Sequence, residues 1–503
     1  MLEQEEQEWF KALYFFEWEL YRELGAKYYD ALYEFNRVAR EEGQEETRKE
    51  FESKEDARQR CLFNRATMDK TKNPIYEVKR VQQAPKKVNA MEISPGVVPL
   101  RLGGKKPKDF FAMFKSFMGC GLMGFPMEPE NVYKLLSSNP SFMRVCGFVG
   151  KDIHEEYYYE HIPGLRKLEQ FDQIMREAGL WADQKWEEVK RNIVSGIIKV
   201  ENELVGDTTH YYGYSNFETV KYKDEKGKVQ KKSQSRMTKT CGCEDKTQCL
   251  CSWELTDDGA GTIVKSNMKM YWGHKGCILG FPCQGIPLDA VAASDSAGHD
   301  SRTLFPHVER LFEFLPEIAG RIKRVLYDSA CDDKDLKKEF WDQWKIELKT
   351  SMNPRRRKDV ETDLPRGIDR ITPYGIPICT EGYEMEYQGM RWDDEKFIYQ
   401  APKDDDEIPV CFGCENREKC CPNTQSQGRT INVSWDVLPH IDPDDPPMAK
   451  RFKAIMRRRP SVERMIKRLK CDLGDDRLTK RGNASFQAYL DKTMIAFHIL
   501  LRQ

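Results

Sequence analysis

The stretch KMYWGHKGCILGFPCQGIPLDAVAAS (269–294) holds two apolar runs, 269–281 and 285–294, separated by PCQG at 282–285. Aromatic and branched residues bounded by Pro and Gly predict two antiparallel strands joined by a turn. Working outward, ELVGDTTHYYGYS (203–215) opens on a short apolar run that meets an acid. On the other side, SRTLFPHVERLFEFL (301–315) has helical spacing, RIKRVLYDSAC (321–331) reads as a strand, 333–344 as a helix and KIELKTSMN (345–353) as a strand. Three strands followed by helix, strand, helix and strand predict an α/β fold with a mixed sheet.

The flanks divide as follows. Residues 1–60 form an acidic amphipathic region, with 17 acids against 10 bases. Leu13, Phe16, Leu20, Leu24, Tyr28, Leu32 and Phe35 share one helical face, which predicts one or two helices broken near Gly25. That face is expected to pack on the rest of the protein or on a second copy. Residues 61–108, rich in Pro, Gly and Lys, read as a linker, and 109–199 as a helical domain. The α/β core begins at 200–353, with a Cys-containing excursion at 218–255. Residues 354–446 break its rhythm as an insertion, and 447–503 return to it with helices at about 447–470, interrupted at Pro460, and 483–501.

A chain of 503 residues implies two to four domains. No apolar run approaches the ~20 residues that span a bilayer, and the acidic start lacks the basic region of a signal peptide. A cytoplasmic protein with no membrane partner is expected. The formal net charge of −1 conceals a strong segregation, because residues 450–482 carry 13 bases and 4 acids. A local charge of +9 points to a polyanion as partner.

Two acids, Asp207 in VGDTTH and Asp328 in VLYDSA, are placed where strands of the sheet should end. Acids are uncommon in buried strands, so the pair is a candidate site for hard cations; a cap on the following helix is the plainer role for Asp328. The third acid is Glu463, which stands alone among ten Lys and Arg residues in MAKRFKAIMRRRPSVERMIKRLK (448–470). Arg459 lies four residues before it and Lys470 seven after, so a continuous helix would place all three on one stripe.

The order Asp207, Asp328 and Glu463, the last on a basic helix, resembles the DDE transposases of bacterial insertion sequences. Arg459, Glu463 and Lys470 match the R, E and K of the Y-x2-R-x3-E-x6-K signature of one group, with Met456 standing where that group has Tyr. KLLSSNPSFMRVCGFVG (134–150) resembles the helical N-terminal domain of such enzymes, and 268–306 their second and third core strands with the next helix. The resemblance covers about residues 109–501. It implies a ribonuclease H-like core and Asp207, Asp328 and Glu463 as catalytic ligands of two Mg²⁺ (or Mn²⁺) ions. It also implies cleavage and strand transfer at terminal inverted repeats of double-stranded DNA, on the bacterial nucleoid, by a homodimer without a nucleotide cofactor. Arg457, Arg458, Arg459, Arg464, Lys467 and Lys470 are the expected DNA-binding residues. A domesticated DNA-binding protein and a nuclease that cuts without joining are the alternatives. GAGTIVKS (259–266) lacks the second Gly of a P-loop, which disfavours an ATPase.

Half of the 16 cysteines fall in two clusters. Cys241, Cys243, Cys249 and Cys251 give C-x-C-x5-C-x-C, and Cys411, Cys414, Cys420 and Cys421 give C-x2-C-x5-C-C. Four thiols in so short a span are expected to hold structural Zn²⁺, with Cys379 and Cys471 as additional or substitute ligands; free thiols or an iron–sulfur cluster are the alternatives. His274 and His299 are expected to serve as a satisfied strand residue and a helix cap.

Overall fold

The computed structural model describes residues 9, 11–13, 17–41, 109–148, 162–223, 227–239, 248–266, 269–353, 358–420, 428–438, 441–442 and 444–502. The linker at 61–108, the end of the acidic region, and Cys241, Cys243 and Cys421 lie outside these residues.

Residues 9 and 11–13 are helical, and helix α1 (Arg22–Glu41) follows a 3-10 turn at Trp18–Tyr21 and runs unbroken through Gly25. The break expected at Gly25 therefore falls earlier, before Arg22. Glycine inside a helix costs about 1 kcal/mol. Burial of Leu24, Tyr28, Tyr29 and Leu32 on the same helix offsets it. The face packs within the chain: the Tyr28 ring lies 4.9 Å from Phe171 and 5.3 Å from Phe110.

Five more helices complete this layer: α2 (Phe110–Leu122), α3 (Pro129–Ser138), α4 (Pro140–Cys146), α5 (Leu165–Glu177) and α6 (Leu180–Val194). Their starts are legible in the sequence. Asp109 caps α2 by accepting from the Ala112 amide, Asn139 caps α4 by accepting from Phe142, and proline opens α3 and α4.

The sheet begins with β1 (Glu203–Tyr212). An excursion follows, made of the hairpin β2 (Phe217–Lys223) and β3 (Val229–Ser235) and the short pair β4 (Met237–Thr238) and β5 (Glu254–Leu255). The chain returns through β6 (Gly261–Ser266), β7 (Lys269–Phe281) and β8 (Ile286–Ala292), crosses α7 (Ser301–Phe314) to β9 (Arg324–Tyr327), then α8 (Lys334–Trp344) to β10 (Glu347–Thr350). The order across the sheet is β10-β9-β1-β7, with β6 and β8 both on β7. Strands β9 and β10 run parallel to β1, whereas β7 is antiparallel to β1, β6 and β8. This is the mixed sheet with flanking helices that the succession of elements predicted. The would-be phosphate loop at 259–266 is largely β6, an extended strand.

Residues 354–446 contain a β-rich module with its own apolar core. Strands β11 (Ile368–Ile371) and β12 (Pro377–Cys379) pair, and β13 (Glu386–Arg391), β14 (Lys396–Gln400) and β15 (Thr430–Ser434) form a second sheet. Phe397, Tyr399, Ile431 and Val433 are buried at alternate positions, the two-residue period of a half-buried strand.

The chain then re-enters the core as α9 (Lys450–Met456), α10 (Ser461–Lys467) and α11 (Asn483–Leu500). Helix α10 packs on β1 and β7. Close approach depends on Gly280, where a Cβ would collide with the Ile286 carbonyl oxygen and stand 2.7 Å from the Met465 sulfur. Helix α11 is buried on nearly all sides between α6, β8 and α2 and joins the helical layer to the sheet. Among the described residues no helix is long and apolar enough to cross a membrane.

Candidate active site

Asp207 is the fifth residue of β1, in mid-strand, and not at the strand end that its sequence surroundings predict. The strand continues to Tyr212 because its pairing with β7 extends to Tyr212↔Gly273. Asp328 does follow the last residue of β9. The parallel register Val205↔Leu326 sets these two acids side by side on neighbouring strands, 121 residues apart in sequence. Asp328 also caps the 3-10 turn Ser329–Cys331, accepting from the Ala330 amide at 3.0 Å.

Glu463 comes from α10, and its side chain is 64% exposed. Arg459 links it to the strand acids: its guanidinium donates to Asp207 Oδ2 at 2.7 Å and lies 3.7 Å from Glu463 Oε1. Asp300, which no sequence pattern singled out, completes the group. It sits at the N-cap position of α7 without capping it, accepts instead from Thr208 Oγ1 at 2.8 Å, and pairs with Lys275 at 2.7 Å. The signal that could have found it is an acid at a helix start immediately after the third core strand.

The electrostatics follow from this crowding. Burial, chiefly, pushes the Asp207 carboxyl up to about 6; Asp328 and Asp300 add to the rise, and Arg459 and the Thr208 amide oppose it. Burial and the neighbouring Asp300 raise Asp328 as well, against the Ala330 amide. Arg459 and Lys275 together set two positive charges against the four acids Asp207, Asp300, Asp328 and Glu463.

A carboxyl whose folded pKa exceeds its unfolded value binds more protons when folded, so ionising it on a rise in pH destabilises the fold. In chelator, the Asp207 contribution should therefore fall between pH ~4 and pH ~6 by about 2–3 kcal/mol. Urea midpoints of wild type and Asp207→Asn at pH 4.5 and pH 7.5 check this: the difference between the two proteins should change across that interval, and equal pH slopes would refute it.

The basic residues are not equivalent. Arg457, Arg464 and Lys467 are exposed. Arg458 pairs at 2.9 Å with buried Glu203, which Arg324 also holds at 3.0 Å. The expected stripe of Arg459, Glu463 and Lys470 is not continuous. The α-helix ends at Lys467 and passes into a π-turn at Arg468–Asp472, while Arg459 precedes α10. A wider turn rotates later residues off the earlier face. Lys470 donates to the His210 carbonyl at 2.5 Å and sits over the Tyr211 ring, anchoring the turn on β1.

His274 is a satisfied strand residue between Asp257 (2.8 Å) and Asn483 (3.0 Å), and His299 hydrogen-bonds Ser301 at the start of α7. Cys249 and Cys251 lie between β3 and β5, where Lys239 reaches the Cys249 carbonyl at 2.7 Å. Cys471 is exposed in the π-turn. Cys411, Cys414 and Cys420 line one cavity of the 354–446 module together with Cys379. Among the described residues no group of three or more His, Cys, Asp or Glu is already gathered at metal-ligand spacing. Searches for known relatives found no family model that matches the chain and no curated protein that matches it.

Proposed function

We propose that this chain is a metal-dependent DDE-type DNA transposase with a ribonuclease H-like core. It would cleave and join DNA strands at the ends of an insertion sequence, as a dimer on double-stranded DNA. The observation that carries the proposal is the convergence of Asp207 and Asp328 on adjacent parallel strands, with Arg459 joining them to Glu463 from a strongly basic segment. The sheet order β8-β7-β1-β9-β10, with β7 antiparallel to β1 and β8 and with β9 and β10 parallel to β1, supports the ribonuclease H-like assignment.

The donor set suits Mg²⁺. It offers carboxylate oxygens, with the acids Asp207, Asp300, Asp328 and Glu463 set against the two cations Arg459 and Lys275. Asp207, Asp328 and Glu463 would hold two ions, which when bound activate the attacking hydroxyl and stabilise the leaving oxygen of an in-line displacement. Arg459, released from Asp207, becomes available to a phosphate oxygen beside the scissile bond. Arg457, Arg464 and Lys467 face solvent and would grip flanking phosphates, contacts that position DNA without reading its sequence. Arg458 stays with Glu203 and braces α9 against the sheet.

The decisive test is a strand-transfer assay with 3′-OH end DNA and Mg²⁺. Joined product supports the proposal. Cleavage without joining favours a nuclease, and end binding without cleavage favours a domesticated binding protein. A second expectation is quantitative. Replacing Arg457, Arg464 and Lys467 together by Ala should lower the salt dependence of DNA binding by roughly three units of slope, about 0.9 for each phosphate that is no longer neutralised. Arg458→Ala should leave that slope nearly unchanged and reduce stability instead. A slope unaltered in the triple variant would refute the assignment of these three residues.

A further inference from the structure

We propose that Cys379, Cys411, Cys414 and Cys420 form a structural Zn²⁺ site in the 354–446 module, with Cys379 as the fourth ligand in place of Cys421. Cys379 ends β12, Cys411 lies in the 3-10 turn Val410–Gly413, Cys414 follows it, and Cys420 closes the helical turn Arg417–Cys420. These segments line one cavity of about 30 Å³, with Gly367, Val410 and Arg429 among the other lining residues.

The backbone places the thiols there. Cys379 begins a tight turn closed by the Gly382 amide on its carbonyl at 2.8 Å, and Cys411 begins another closed by Cys414 at 3.4 Å. Gly367 has φ +80°, and a Cβ on it would collide with the Cys420 sulfur, so that thiol reaches the cavity only past a glycine. Asn416 donates to the Glu381 carboxylate at 2.5 Å, which pins the Cys379 turn to the helical turn bearing Cys420. Glu381 is the acid in the cavity lining, and that bond engages one of its two oxygens.

Four soft donors in the pattern C-x31-C-x2-C-x5-C suit tetrahedral Zn²⁺. An ion held by these thiols would crosslink β12 to the segment before β15. The module's core is a single small cluster around Phe397 and Tyr399, the situation in which a structural metal adds most.

The test uses the full chain purified without added metal. Elemental analysis should find zinc. Alkylation mapped by mass spectrometry should show Cys379, Cys411, Cys414 and Cys420 protected together and released together by a chelator, with Cys421 reacting equally before and after. Cys379→Ser should lose one equivalent of zinc relative to wild type, whereas Cys421→Ser should lose none. Should Cys379→Ser prove insoluble, Cys379→His, which keeps a fourth ligand, should retain the metal, and the wild-type protection pattern stands independently of any variant. Zinc-free wild type, free alkylation of Cys379 in the zinc-loaded protein, or protection of Cys421 with the other three would each overturn the proposal.

Discussion

Asp328→Asn and Asp207→Asn should each lower Mg²⁺-dependent cleavage of end DNA by about 10³-fold or more while changing end binding by no more than about two-fold. A carboxylate that holds an ion stabilises transition-state charge by several kcal/mol, and each 1.36 kcal/mol is tenfold in rate. Binding is spared because phosphate contacts come from other residues, among them the exposed Arg457, Arg464 and Lys467. The two variants should differ in one respect. Asp207 is the partner of Arg459 at 2.7 Å, so Asp207→Asn frees that guanidinium for DNA and can tighten binding slightly; Asp328→Asn leaves the pair in place. Single-turnover cleavage and end binding, measured on the same preparations, decide the matter. Cleavage within tenfold of wild type in either variant would sink the catalytic assignment.

Lys185→Met should destabilise the fold by about 3–5 kcal/mol, the usual cost of removing one partner from a buried ion pair. Lys185 projects from α6 with no exposed side-chain surface, 2.5 Å from Asp289 on β8 and 3.1 Å from Asp491 on α11. One ammonium thus joins the helical layer, the sheet and the central C-terminal helix. Burial alone would raise the Asp289 carboxyl, but Lys185 and His307 hold it well below the usual carboxylate range. Burial prevails at Asp491, which is raised despite Lys185. Without Lys185 two carboxylates remain in the interior, and adding Asp491→Asn should recover part of the loss by removing one of them. Urea unfolding followed by tryptophan fluorescence measures this, and a loss below about 1 kcal/mol would show that water or local movement already screens the cluster.

Much of the architecture is local information. Apolar runs bounded by Pro and Gly at 269–294, helical spacing at 301–315 and Pro460 between two helices depend on neighbours a few residues away, and each reappears in the structure. The alternating burial of Phe397, Tyr399, Ile431 and Val433 carried a strand signal of the same kind within a segment that otherwise reads as an irregular insertion. The Gly25 break failed for the opposite reason: a local propensity worth about 1 kcal/mol was outweighed by packing on a distant helix layer.

The site divides along the same line. The sequence by itself determined the chemistry on offer: two acids in strand-like surroundings, a lone glutamate in a basic segment, and cysteines at ligand-like spacing. Only the tertiary structure decided which of these meet. Pairing of β1 with β9 sets Asp207 beside Asp328, a π-turn carries Lys470 to His210, Arg459 reaches Asp207 across 252 residues, and β12 delivers Cys379 to the second cysteine cluster. Composition and periodicity describe a segment's preferences over one or two turns of chain. Contacts between distant segments depend on sheet register and on which charges find partners as they leave water, and both are settled by the packing of the whole fold.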